Sequence, residues 1–249
     1  LACILIIGLP IMMAEIIIGR RASSSPVNSM KSAALDSNRS SNWQLIGWGG
    51  LVAGILILSF YSVLAGICIN YIFISALPDL QLSSEEQFSI TTSSASNLLI
   101  WHTVFILVTA GVIASGIKNG IGRFVRVLMP LLGFILILMV LNAVINGDFL
   151  RGLQFLFSPD FSQVNPQTFL SAMGQAFFSL SLGMGAIMTY GAYMSDDQKI
   201  LSTSITVGGL DTLVALMAGL AIFPIIFASG LEVNSCLLYT SPSPRDRSL

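Results

Sequence analysis

The stretch QAFFSLSLGMGAIMTYGAYMSDDQ, Gln175 to Gln198, is apolar enough for lipid, yet two serines and two glycines fall within Ser179–Gly185. A glycine in a helix interior costs about 1 kcal/mol relative to alanine, and serine offers the backbone competing hydrogen bonds. SLSLGMG therefore favours unwinding in the middle of a membrane-length segment. Unwound backbone is tolerated at membrane depth only where protein encloses it or it lines a watery cavity. The two half-helix ends then present a positive dipole to an anion and carbonyl oxygens to a cation. The alternative is that small residues at 181, 183 and 185 merely let helices pack closely. The stretch alone leaves both open.

Working outward, composition fixes the solvent. The 249 residues are 54% hydrophobic and 9% charged, with a mean hydropathy of +0.85, whereas soluble domains are about one quarter charged. The chain reads as an integral membrane protein whose first partner is the lipid bilayer. A net charge of −1 gives no reason to expect nucleic acid or an acidic partner. Cys3, Cys68 and Cys236 lack metal-ligand spacing, and the single histidine, His102, cannot build a multi-histidine site.

A spanning helix needs about 20 mostly apolar residues, and that ruler gives six candidates near 1–19, 43–76, 97–117, 122–146, 167–193 and 204–229. The expected fold is all-α, a polytopic membrane helix bundle with a discontinuous helix near 179–185. Segment 43–76 is longer than a bilayer requires and should tilt or project. Segment 20–42 carries Arg20, Arg21, Lys31 and Arg39 against Asp36, and 118–123 carries Lys118 and Arg123 with Arg126 just beyond. Segment 77–96 has Asp79, Glu85 and Glu86 and no base, and 147–166 has Asp148 and Asp160 against Arg151. The positive-inside rule puts 20–42 and 118–123 in the cytoplasm. Parity puts SDDQK, 195–199, there too, although its charge balance is −1. Residues 236–249, CLLYTSPSPRDRSL, change character abruptly and read as an appended or mistranslated end.

Ionisable groups at membrane depth are functional candidates by default. Glu15, in IMMAEIIIGRR, either pairs with a neighbouring arginine near the membrane edge or accepts hydrogen bonds from the backbone of a broken helix. Asp211, in VGGLDTLVALMAGLAIF, is either a carboxylate favoured by its helix dipole or a cation ligand or proton-linked site. No nucleophile–base pair accompanies them, which argues against an enzyme.

Four motifs carry a resemblance: GLPIMMAEIIIGR (8–20), GIKNGIGRFVRVLMP (116–130), LQFLFSPDF (153–161) and GQAFFSLSLGMGAIMTYGAY (174–193) with the following DDQ. Through them residues 1–235 resemble the neurotransmitter:sodium symporter family, in its bacterial amino-acid transporter branch, from that family's second helix to just past its seventh. The resemblance implies a partial inverted-repeat transporter fold in the plasma (inner) membrane. The function it implies is uptake of a hydrophobic or aromatic L-amino acid driven by co-transported Na⁺. The distinct alternative is a nontransporting membrane sensor or subunit that binds amino acids.

Residue by residue, the resemblance makes Tyr61 the hydroxyl that holds the substrate carboxylate, and Ile57, Ser181 and Met184 pocket walls. It makes Phe178 the aromatic lid over the substrate. Ser179 becomes a ligand of the first sodium at the edge of the substrate pocket, and Asp211 a ligand of that same ion. Glu15 accepts hydrogen bonds from the unwound segment, while Gly183 and Gly185 free the backbone there. Gln175 matches a residue near the chloride of chloride-dependent relatives. A carboxylate at 211 supplies that negative charge itself, so chloride is expected not to be required. The implied first and eighth helices have no counterpart in these residues, and oligomeric state leaves no mark on them.

Overall fold

A computed structural model describes residues 1–75, 91–92, 94–116, 120–158 and 164–230, and every regular element among them is helical. The acidic cluster Asp79, Glu85 and Glu86, the loop residues Lys118 and Asp160, and the 236–249 tail lie outside the described residues. The helices are α1 (Leu9–Ala22), entered through a π-helical turn at Ile4–Gly8, α2 (Pro26–Asp36), α3 (Gln44–Ser75), α4 (Ala95–Ala114), α5 (Gly122–Asn146), α6 (Phe149–Phe157), α7 (Pro166–Ser179), α8 (Ala186–Ala192) and α9 (Ile200–Ala228). Four stretches, Ser41–Ile74, Ala95–Ala114, Gly122–Asn146 and Ile200–Ala228, are long and apolar enough to cross a membrane. The chain is an integral, multi-pass membrane protein.

The expected discontinuity is present. Segment 167–193 divides into α7 and α8, with no helix between Ser179 and Ala186. Two further helices, α2 and α6, occupy stretches that hydropathy alone reads as connecting loops, because neither is long enough to register as a span. Asp148 caps α6 by accepting the Arg151 N–H at 3.2 Å.

The chain divides into two compact units, one of Leu1–Ser25 with Met129 onward, the other of Pro26–Leu128. In the first, α1 packs on α8 and α9, and α6 packs on α9. Met12, Ile16, Leu180 and Leu182 form its buried cluster, with Ile11, Phe177 and Ile187 against it. Glycines set the closeness of α1 and α8. A Cβ on Gly19 would lie 2.0 Å from the Met188 carbonyl oxygen, and one on Gly191 would lie 2.6 Å from that of Ile16. The two helices therefore touch backbone to backbone, as small-residue packing in membranes permits. Pro224, inside α9, accepts the Asp148 N–H on its carbonyl at 3.0 Å. Gly147 and Gly152 pack against its ring, where added Cβ atoms would approach to 2.9 and 2.6 Å. Phe155 of α6 stacks against Phe223 with ring centroids 4.8 Å apart.

In the second unit, α3 packs on α2 and α4. Gly66 admits the backbone of Trp101 and His102, each 2.8 Å from the place of its missing Cβ. Asn70 donates to Thr91 at 3.4 Å in a buried pair.

Gly19→Ala should lower the thermal unfolding temperature of the purified protein, with a cost of about 1–3 kcal/mol for overpacking. Gly133→Ala, where a Cβ meets nothing within 4 Å, should leave it unchanged or slightly raised.

Candidate functional site

The site is built on the interruption between α7 and α8. Asn165 caps α7 reciprocally with Thr168, and Pro166 stands at its first turn, where a missing N–H costs nothing. At its other end the Leu182 N–H donates to Phe177 O at 2.9 Å and the Ser181 N–H to Phe178 O at 3.1 Å. That pair of bonds is a Schellman closure with Ser181 at the left-handed position, φ 54°. Leu180 and Leu182 on either side are buried and fix the turn in the core. Gly183 and Gly185 follow with φ 80° and 77°, backbone that glycine alone adopts without steric cost. Gly185 is the N-cap of α8. The helix thus stops at a serine, and the glycines carry the chain from there to the next half-helix.

Two carboxylates meet this interruption from neighbouring helices. Glu15 of α1 is buried, and its Oε1 accepts the Gly183 N–H at 2.7 Å. Its Oε2 is equally enclosed and has no hydrogen-bond partner among the described residues. Asp211 of α9 accepts the Ser179 hydroxyl on Oδ2 at 2.6 Å. A hydrogen bond to an ionised oxygen is about twice as strong as a neutral one, so Ser179 and Asp211 hold one another at the end of α7. That end bears the negative pole of the helix dipole. Carboxylate, hydroxyl and dipole together make an oxygen-lined, electronegative corner suited to a hard cation.

The remaining residues singled out by sequence lie around this centre or in the second unit. Gln175 stands one turn before Ser179 on α7 and is exposed, Phe178 is exposed, and Ser181 and Met184 are half-buried. Ile57 and Tyr61 lie in the second unit, one turn apart on α3 and so on one face of it.

Glu15 does not pair with the nearby arginine. Five residues along a helix turn about 140° away, and Arg20 instead reaches the α8–α9 connection. It donates from Nε to Asp196 Oδ1 at 3.3 Å, from Nη1 to Gln198 O at 2.9 Å, and from Nη2 to Asp196 O. This clasp has no sequence signature beyond the bare charge of Arg20. It resolves the acidic balance of 195–199: an arginine from a basic segment compensates the loop. Asp197 is held below the usual carboxylate range by the Ser195 hydroxyl and its own backbone N–H, with Arg20 nearby.

The family model for the sodium:neurotransmitter symporter family matches residues 80–234. An uncharacterized sodium-dependent transporter of Haemophilus influenzae is 33% identical over 93% of this chain and 53% of its own length. The uncharacterized sodium-dependent transporter YhdH of Bacillus subtilis is 35% identical over 95% of this chain and 53% of its own length. The crystal structure of MhsT in complex with L-phenylalanine superposes with a TM-score of 0.83 at 42% identity, covering 92% of this chain and 52% of that one. The chain spans about half the length of these relatives.

Glu15→Ala should strand the Gly183 N–H and destabilise the purified protein by about 1–3 kcal/mol, the cost of an unsatisfied buried donor. Glu15→Gln keeps an acceptor oxygen and should retain most of the thermal stability. Equal losses for the two would show that the carbonyl-like oxygen is not what matters at this position.

Proposed function

The chain belongs to the sodium:neurotransmitter symporter family, a family of transporters and not of enzymes, and from that premise we propose that the whole protein couples Na⁺ entry to uptake of a hydrophobic or aromatic L-amino acid across the plasma membrane. The observation that carries the proposal is the Ser179–Asp211 pair, 2.6 Å apart at the end of an interrupted helix. Na⁺ arriving there turns the Ser179 hydroxyl from donor to ligand, and the hydroxyl and carboxylate oxygens, with carbonyls of the opened backbone, replace its hydration shell. Asp211 supplies a full negative charge beside the ion in a medium of low dielectric, where attraction over a few ångströms is far stronger than in water. Chloride is therefore not needed to balance Na⁺, and Gln175 is the remnant of an anion position.

The substrate lies against the same interruption. The family resemblance makes Phe178 its lid and Met184 and Ser181 its walls; it also assigns Ile57 the role of an apolar wall residue and the Tyr61 hydroxyl that of donor to an amino-acid carboxylate. None of these five side chains is acidic, which disfavours a basic substrate. The complex of MhsT with L-phenylalanine supports an aromatic or hydrophobic substrate. Glu15, by holding Gly183, keeps the opened backbone in place while both cargoes come and go.

Protein reconstituted in liposomes should accumulate labelled leucine, tyrosine or tryptophan only under an inward Na⁺ gradient; uptake indifferent to Na⁺ would refute the symport reading. In the same assay Asp211→Asn should weaken the Na⁺ dependence or make uptake depend on chloride, and an unchanged ion requirement would remove Asp211 from the ion site.

A further inference from the structure

We propose that the groove between the end of α4 and the start of α5 is a binding site for an anionic membrane phospholipid, with an acyl chain in the groove and the phosphate on Arg123 and Arg126. The groove is open along its length, offers about 520 Å³, and is lined by Val108, Val112, Phe124, Val127 and Leu128, with Arg123 in the same wall. Its concavity is made by residues that lack side chains. Gly111 has open space where a Cβ would be, and Gly120 lies so close to α4 that a Cβ would sit 2.1 Å from the Val112 carbonyl oxygen. Gly116 turns the chain between the helices with φ 83°, and Gly120 donates back to its carbonyl at 2.8 Å.

Charge selects the occupant. Arg123 and Arg126 are three residues apart on α5, hence on one face of it, and both are exposed. Neither has an ion-pair or hydrogen-bond partner among the described residues. By the loop charges this end of the two helices is cytoplasmic, the side where anionic headgroups collect around basic residues. Arg123 in the wall of a channel of branched aliphatic side chains and one phenyl ring, with Arg126 beside it along α5 and neither partnered among the described residues, matches a lipid that is anionic at one end and apolar for the rest of its length. A guanidinium fork also binds phosphate oxygens in pairs. The site shares no residue with the ion corner and does not depend on the transport reading.

The test is native mass spectrometry of the detergent-purified protein titrated with phosphatidylglycerol and with phosphatidylcholine carrying the same chains. The wild type should retain one phosphatidylglycerol in preference to phosphatidylcholine. Arg123→Ala and Arg126→Ala should each weaken that first binding event roughly fivefold, the weight of about one basic residue beside an anionic surface, and Arg→Lys should restore most of it. Gly111→Leu, which fills the groove and leaves both arginines in place, should also abolish the preference. Equal retention of the two lipids, or a preference indifferent to all these variants, would overturn the proposal. So would a preference lost in the arginine variants but untouched by Gly111→Leu, which would mark a diffuse surface attraction. A dimer whose dissociation by Gly111→Leu accounts for the change would identify a second copy of the chain as the occupant.

Discussion

An opened backbone at membrane depth must find its hydrogen-bond partners inside the protein, and the arrangement around Glu15 follows from that demand. The Gly183 N–H belongs to neither half-helix, and α1 supplies the acceptor from a buried carboxylate. For Glu15 to reach it, α1 must lie directly against the second half-helix. Gly19 and Gly191 make that possible by leaving no side chains between the two backbones. The Schellman closure at Ser181 satisfies two more donors within α7 itself. Satisfying polar groups and packing small residues, two separate explanations at the level of sequence, are here one construction.

Ser179 and Asp211 add a second constraint of a different kind. A hydroxyl and a carboxylate in mutual contact at the negative end of a helix concentrate oxygen and negative potential in one corner of the first unit. Glu15 answers the positive ends of N–H dipoles, whereas Asp211 faces the opposite pole. The two acids are thus not interchangeable, although composition treats them alike.

Much of this was legible in sequence, for reasons that differ by residue. The membrane helices were legible because hydrocarbon thickness sets their length. The interruption was legible because SLSLGMG combines two independent helix-breaking tendencies. Its stopping point was not: Gly183 and Gly185 are the residues propensity selects, while the closure falls on Ser181, held by the burial of Leu180 and Leu182. Helices α2 and α6 escaped because short helices are specified by caps and tertiary contacts, such as Asp148 and the Pro224 socket, and not by hydropathy. The choice between the two readings of Glu15 needed the helical angle to Arg20 and knowledge of what lay across from each. The loop at 195–199, discordant by charge count, becomes intelligible only through a residue far away in the chain.

The distances along the chain between these partners have a bearing on how the protein is made. Glu15 and Gly183 are separated by 168 residues, and Arg20 and Asp196 by 176. At ordinary rates of synthesis, α1 waits roughly ten to thirty seconds for those partners to emerge. During that interval its carboxylate lacks the Gly183 N–H, and its two tight glycine faces have nothing against them. The tightest contacts of α1 therefore form late in synthesis, and until then α1 carries an acid that only the finished fold encloses.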